Sequence, residues 1–208
     1  MELHFIPQFD RLFIIYCVLV IILGRILIRE DDRRIWILTA FATTLISVLG
    51  SIELLIWVFE NTVIAKFRSS IASATLLDFL KTYLFVDLIY NAAYHPHRLG
   101  LIDGWIHYMV YIFMADKFQQ TYQVGCVRPL WVMAIPSAIQ AWASIGTIPL
   151  DTANRWFAAT FVAFRIVWPA FILTQMVAAA WVFIVISLSI VGHASWIIFW
   201  AHFRNILI

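Results

Sequence analysis

Long, mostly apolar stretches most constrain what this chain can fold into. A helix needs about 20 mostly apolar residues to cross a hydrocarbon core about 30 Å thick. Uniformly apolar stretches of this kind favour helices over the strands of a membrane barrel, which alternate apolar and polar residues. They run from Leu12 to Ile28, Ile35 to Val58, Ile71 to Tyr90, Leu101 to Phe118, Pro129 to Ile148, Trp156 to Leu173 and Gln175 to Phe203. The sequence therefore predicts an all-α, polytopic transmembrane bundle of about seven spans, within a range of six to eight.

Composition supports a membrane protein and excludes other classes. Of the 208 residues, 63% are hydrophobic and 12% are charged, whereas soluble domains carry about 25% charged residues. The net charge of +2 gives no basis for binding nucleic acid. Cys17 and Cys126 stand far apart, and the pair His95 and His97 has no third ligand nearby in the sequence, so neither a disulfide framework nor a metal site is predicted. A single transmembrane domain over residues 1–208, without a cofactor, is expected.

Of the four prolines in the carboxyl-terminal half of the sequence, three are expected to bend or interrupt the predicted helices. Pro136 is expected to kink the fifth span unless neighbouring groups satisfy the backbone carbonyl that proline leaves without a donor. The segment from Pro149 to Arg155 is expected to be a turn. Between the sixth and seventh spans, either Pro169 or the Thr174-Gln175 pair is expected to mark the reversal of the chain.

Ionisable side chains inside the predicted spans are candidates for function, because a charge within the hydrocarbon core is costly to insert. They are Glu53, Asp78, Lys81, Asp87, His107, Arg165 and His193. Asp78 and Lys81 are three residues apart near a predicted helix start, so an interfacial ion pair explains both. His193 follows Gly192 at a predicted bend, and a structural role is expected for it.

A polar stripe follows one face of the third predicted helix. Tyr83, Asp87, Asn91 and Tyr94 recur at intervals of four, four and three residues, which places them on the same side. Such a stripe is suited to binding a polar headgroup, to holding a proton, or to hydrogen bonding between helices.

Arg165 and His107 need either a partner or a function. Arg165 lies about midway along the sixth span, where inserting a charge costs about 3 kcal/mol. We expect an acidic or carbonyl partner, with Asp87 or Glu53 as the acidic choice, and both a structural ion pair and a site for an anionic headgroup remain open. His107 is suited to acid or base chemistry, because imidazole titrates near physiological pH. The alternative is a core histidine that donates one hydrogen bond.

Short motifs after Leu80 occur in the order seen in the TLC family of polytopic, mainly endoplasmic-reticulum proteins. Tyr83 to Leu88 is like the family's aromatic segment ending in Tyr-Asp-Leu, and Tyr94 to Pro96 is like its His-Pro loop. Ile106 to Tyr108 stands at the place of its His-His pair. The further matches are Asn154 to Phe157 and Phe161 to Ile166, where Arg165 stands at the family's arginine. Residues 80–208 thus resemble a TLC region. The family's second histidine is Tyr108 here, and the acidic residue of its Glu-Leu-Ser/Thr segment is Gln140 or missing, so the resemblance implies the branch without ceramide synthase activity.

The resemblance implies a multi-pass membrane protein, most consistent with the endoplasmic reticulum, that binds a lipid within its bundle and acts in lipid homeostasis. The expected partners are membrane lipids, with membrane proteins as a further option. The residues expected to line the lipid site are His107, Asp87, Asn91, Tyr94 and Arg165. One alternative is a lipid acyltransferase-like enzyme in which His107 is the general base and Asp87 orients it. Another is a non-catalytic structural subunit of a larger membrane complex.

Overall fold

Helices account for almost every residue that the structure describes. The computed structural model describes residues 7–60, 70–96, 99–120 and 124–175, together with positions 187, 190, 192 and 193. Among these residues there is no strand, which confirms the predicted all-α class. The amino-terminal helices are α1 (Pro7–Leu27), α2 (Asp31–Arg34), α3 (Trp36–Phe59) and α4 (Ile71–Tyr94).

After α4, α-helices alternate with π- and 3₁₀-helical segments. In chain order they are a π-helical segment (Leu101–Ile106), α5 (His107–Gln120), a 3₁₀ segment (Val124–Ala134), α6 (Ile135–Ile145), α7 (Leu150–Val162), a second π-helical segment (Ala163–Val167) and α8 (Trp168–Gln175). Isolated π-helical turns are rare in proteins, but those that do occur are often located at functional sites. The second of them contains Arg165.

Three helical stretches of the described chain are long and apolar enough to cross a membrane, which indicates a membrane protein. They are Asp31–Phe59, Val124–Ile145 and Leu150–Thr174. Helices occupy the places of the first six predicted spans. The seventh, from Gln175 to Phe203, lies mostly outside the described residues, so the count of seven spans stays a prediction.

The structure corrects two expectations about the prolines. The segment from Pro149 to Arg155 is not a turn, because α7 begins at Leu150; the chain reverses just before it, where Gly146 ends α6 with a left-handed φ of 92°. Pro169 does not mark a reversal either, since it is the second residue of α8. Near Pro136 the helix changes from 3₁₀ to α geometry, and the kink itself stays a prediction.

Helix α3 packs against α1, α4, the 3₁₀ segment and α6, and so forms the centre of the described bundle. Its small residues permit close approach, as is usual between membrane helices. A Cβ atom at Gly50 would lie 2.2 Å from the Cβ of Trp131, so only glycine allows the 3₁₀ segment to lie where it does. This close contact holds the carbonyls and side chains of the 3₁₀ segment against the interior of the bundle.

Candidate functional site

Arg165 extends from the second π-helical segment towards the junction of the 3₁₀ segment and α6. Its Nε donates to the backbone carbonyl of Met133 at 3.2 Å, and its Nη2 donates to the hydroxyl of Ser137. In 3₁₀ geometry the donor for the Met133 carbonyl would be the backbone N–H of Pro136, which proline lacks. The proline therefore leaves a carbonyl available to the arginine.

The third partner of Arg165 is His193. Its Nε2 lies 3.1 Å from Nη1 of the guanidinium. Because a guanidinium only donates hydrogen bonds, Nε2 must accept, and the imidazole is then neutral with its proton on Nδ1. The ring of Phe161 lies 5.3 Å from the guanidinium carbon, in the range of a cation–π contact.

All these partners of Arg165 are neutral. Among the described residues no carboxylate forms a hydrogen bond or ion pair with it. The expectation that Asp87 or Glu53 would be its acidic partner is wrong: Glu53 binds another arginine, and Asp87 binds a tyrosine. The expectation of a carbonyl partner is met by Met133. A structural role was expected for His193, and in the structure its ring accepts a hydrogen bond from the Arg165 guanidinium.

Asp87 is 1% exposed and makes an incomplete set of hydrogen bonds. Its Oδ2 accepts from the phenol of Tyr108, whereas its Oδ1 is buried without a hydrogen-bond partner among the described residues. The amide of Asn91 donates to the backbone carbonyl of Asp87 at 2.9 Å. The Asn91 side chain thus bonds the backbone of its own helix, and its amide also lies close enough to act on the Asp87 carboxylate.

Tyr83 connects the surroundings of Asp87 and Arg165. It is buried on α4, one turn before Asp87, and its hydroxyl lies 3.4 Å from the Thr39 hydroxyl on α3. Its phenol is within electrostatic range of both the Asp87 carboxylate and the Arg165 guanidinium, and Tyr111 on α5 is likewise within range of Arg165. We call this set the polar centre; its members are Thr39, Tyr83, Asp87, Tyr108, Tyr111, Ser137, Arg165 and His193.

The predicted polar stripe divides between the interior and the end of the bundle. Tyr83 and Asp87 belong to the polar centre, and Asn91 lies beside it. Tyr94 is 58% exposed and lies against Tyr90, with the Arg25 guanidinium 4.6 Å from its ring centre. Of the stripe, Tyr94 is therefore the member that the structure places away from Arg165.

His107 lies next to the polar centre without joining Asp87. Its side chain is exposed, and its ring centre lies 4.6 Å from that of Tyr111. The hydrogen bond of the Asp87 carboxylate goes to the next residue, Tyr108, which stands where the TLC pattern has its second histidine. The arrangement needed for a general base, with Asp87 orienting His107, is not formed in this structure.

Another arginine, Arg128, is fully buried and was not among the predicted site residues. It is 3% exposed, its Nε lies 2.9 Å from Oε2 of Glu53, and its Nη1 lies 2.9 Å from Oε2 of Glu60. The hydroxyls of Ser70 and Ser73 each donate to the same oxygen of Glu53 at 3.0 Å. We call these five residues the Arg128 centre. A buried Glu53 in a predicted span was the signal for it, since a buried carboxylate needs a cation nearby.

The predicted ion pair between Asp78 and Lys81 is confirmed, with a separation of 3.6 Å. Gln119 on α5 hydrogen-bonds to both side chains. Of the predicted pair His95 and His97, the second lies outside the described residues. Within the described part of the chain, no three His, Cys, Asp or Glu side chains are grouped as metal ligands would be.

An apolar groove of about 620 Å³ runs along α7 and α8. Its lining includes Ala159, Ala163, Val167 and Phe171, which recur every fourth residue and so share one helix face. Arg165 is two residues from both Ala163 and Val167, which puts it on the opposite face. The groove therefore faces away from the polar centre, as expected of a surface that meets lipid chains.

Comparison of the chain with models of protein families, with curated proteins and with solved structures finds no match.

Proposed function

We propose that this chain is a multi-pass, TLC-type protein of the endoplasmic reticulum membrane that binds a phospholipid within its helical bundle and acts in membrane lipid homeostasis. The observation that carries this proposal is the set of partners around Arg165: a carbonyl, a hydroxyl and a neutral imidazole. These groups hold the guanidinium in place but carry no negative charge. Because arginine stays protonated in proteins, its charge requires compensation from another source.

A phosphate is the anion that best suits this site. Guanidinium groups bind phosphate oxygens through paired, charge-assisted hydrogen bonds, and these are stronger than hydrogen bonds between neutral groups. The hydroxyls of Tyr111 and Tyr83, within electrostatic range of Arg165, are neutral donors suited to further phosphate oxygens. In a membrane the abundant carriers of such a phosphate are phospholipids, in agreement with the lipid-related roles that the TLC resemblance implies.

The test is to measure which lipids co-purify with the tagged protein in mild detergent, comparing the wild type with Arg165→Gln. We expect a phospholipid bound to the wild type and about a tenfold or greater weakening of its binding in the variant, the loss that follows from removing a hydrogen bond to a charged group. Native mass spectrometry of the same sample also reports any bound proteins.

Arg155→Gln is the matched control. Arg155 is exposed on α7, ten residues before Arg165, and lies outside the polar centre. Lipid binding should survive this change. Equal lipid binding by both variants, or a wild type that carries stoichiometric protein partners and no enriched phospholipid, would contradict the proposal; the second result would favour a structural subunit.

A further inference from the structure

A groove of about 260 Å³ lies between α1, α3 and α4, apart from the polar centre. Its described lining is apolar except for Glu53 and Thr75, and the Thr75 hydroxyl already donates to the backbone carbonyl of Ile71 at 2.9 Å. On the α3 wall, Leu49 is 39% and Ile52 is 50% exposed, so the groove opens on the outer surface of the bundle. In a membrane this surface meets lipid chains. We call it the Glu53 groove.

Glu53 has one carboxylate oxygen without a hydrogen bond. Its Oε2 accepts from the hydroxyls of Ser70 and Ser73 and pairs with Arg128. No donor in the described part of the chain reaches Oε1, although the residue is only 4% exposed. Polar groups with so little access to water normally have a hydrogen-bond partner. Oε1 therefore requires a donor supplied from the groove.

The donor that Glu53 lacks is a neutral one. Its negative charge already faces the Arg128 guanidinium at 2.9 Å, so a cation at Oε1 would bring a second positive charge to one buried carboxylate. The side chain of Glu60, the other anion beside Arg128, is 26% exposed, and water screens its charge. A hydroxyl supplies the hydrogen bond without adding a charge, and its bond to a carboxylate is charge-assisted.

The Glu53 groove has its polar group at one end and apolar walls beyond it. Glu53 lies six residues, or about 9 Å, before the end of α3, and Ser70 is the N-cap of α4. Leu45 on α3 and Phe79 on α4 line the groove further from those helix ends, and the ring of Phe79 lies 5.3 Å from that of Phe13 on α1. This order suits an amphiphile with its polar group near the membrane boundary and its hydrocarbon towards the middle.

We infer that the Glu53 groove binds a lipid whose only polar group is a hydroxyl, as in a sterol, and that this hydroxyl donates to Oε1 of Glu53. Small-ligand sites usually measure about 300–1,000 Å³, so a groove of 260 Å³ holds the hydroxyl end of the lipid while the remainder lies in the bilayer. Diacylglycerol fits less well, because its two ester carbonyls need donors that the described lining does not offer.

The experiment measures sterol binding to the purified full-length protein in mild detergent. The probe is dehydroergosterol, a fluorescent sterol excited by energy transfer from tryptophan. The competitors cholestanol and cholestanone share one skeleton and differ only in bearing a hydroxyl or a ketone. Cholestanol should bind about tenfold or more tightly than cholestanone, the difference expected from a hydrogen bond to a charged group.

Glu53→Gln tests the acceptor itself. The amide pairs its oxygen with Arg128 and presents an N–H donor to the groove in place of an acceptor. The preference for cholestanol should therefore disappear or reverse, since the ketone of cholestanone is an acceptor. A wild-type preference that persists in this variant would show that the hydroxyl binds elsewhere.

Leu49→Trp decides if Glu53→Gln does not fold. The indole fills the Glu53 groove without changing any member of the Arg128 centre, so cholestanol binding should weaken about tenfold or more, the loss of one such hydrogen bond. Val48→Trp is the matched control, because Val48 is 55% exposed on the same helix and is not part of the described lining. It adds the same fluorophore and should bind sterol like the wild type.

Equal binding of cholestanol and cholestanone by the wild type would overturn the inference, as would an unchanged sterol affinity in Leu49→Trp. Octadecylamine and dioleoylglycerol complete the set of competitors. If either displaces the probe at lower concentration than cholestanol, the groove takes a cationic or a diacyl lipid and the assignment to a hydroxyl lipid is wrong. A wild type without phospholipid at Arg165 contradicts only the proposed function, because the Glu53 groove shares no residue with the polar centre.

Discussion

Arg128 and Arg165 both extend into one helical bundle, yet the partners of Arg128 are negatively charged and those of Arg165 are neutral. Arg128 binds the carboxylates of Glu53 and Glu60, and two serine hydroxyls also donate to Glu53. Arg165 has a carbonyl, a hydroxyl and an imidazole as partners. Carboxylates of the protein compensate the Arg128 guanidinium, whereas no carboxylate among the described residues binds the Arg165 guanidinium.

This difference helps to distinguish a structural arginine from a ligand-binding arginine when both lie inside a helical bundle. A charge that the protein compensates has no need of a ligand, and removing one partner leaves the other buried and unpaired. A charge held by neutral groups is positioned without being compensated, as in sites that await an anion. Both arginines involve the same 3₁₀ segment: Arg128 belongs to it, and Arg165 binds its Met133 carbonyl.

The largest expected effect is on stability, from Arg128→Gln. The change leaves Glu53 buried beside two serines without its cation, which should lower the free energy of unfolding by about 3–5 kcal/mol. Thermal or denaturant unfolding in detergent, followed by circular dichroism, measures this loss. Arg165→Gln should destabilise the protein much less, because none of the groups it leaves behind is charged.

A double variant tests why Arg128→Gln should lower the free energy of unfolding. Combining it with Glu53→Gln removes the unpaired carboxylate, so the double variant should be more stable than Arg128→Gln alone. If the double variant is as unstable as the sum of both single variants, the two side chains act independently and the view of a mutually compensated centre is wrong.

An intermediate effect is expected from Ser137→Asp, which gives Arg165 the carboxylate that it lacks. The new anion should occupy the guanidinium and weaken phospholipid binding by about tenfold or more, the effect of one charge-assisted hydrogen bond. The unfolding free energy should not fall as it does for Arg128→Gln, because the new charge is paired. Native mass spectrometry and thermal unfolding measure the two quantities.

Ser144→Asp serves as its control, since Ser144 lies two turns further along α6 and its hydroxyl donates to the Gln140 carbonyl. Phospholipid binding should be the same as in the wild type. An undiminished affinity in Ser137→Asp would show that the lipid phosphate binds elsewhere than at Arg165.

Only one side of the contrast, the polar centre, could be predicted from the sequence. Apolar runs of sufficient length predicted the helices and placed Asp87 and Arg165 inside the bundle. Arg128 precedes the predicted fifth span, which begins at Pro129, and helical periodicity does not report that α3 approaches the 3₁₀ segment at Gly50. That close approach is a tertiary contact, and it is what pairs Arg128 with Glu53.

Partners of buried polar groups were harder to predict than their positions. For Arg165 the sequence analysis expected an acidic or a carbonyl partner, with Asp87 or Glu53 as the acidic choice. The structure has the carbonyl of Met133, next to the Pro136 junction. Likewise, spacing placed Tyr94 on the face of Asp87, whereas the length of α4 carries Tyr94 to the exposed end of the bundle. A face is fixed by periodicity, but depth depends on how the helices pack.

The smallest expected effect comes from a third arginine, Arg34, whose ion pair with Asp31 is at the surface. The two side chains are 2.5 Å apart, and that of Asp31 is 73% exposed. Asp31→Asn should lower the unfolding free energy by less than about 1 kcal/mol, because water and salt screen such pairs. Arg34 also donates to the backbone carbonyls of Ile28 and Arg29, so it stays in place without the carboxylate. Unfolding at low and high salt measures the difference in unfolding free energy between Asp31→Asn and the wild type, which should shrink as salt is added. A loss of unfolding free energy comparable to that of Arg128→Gln would mean that burial does not explain the difference between the Arg34 and Arg128 ion pairs.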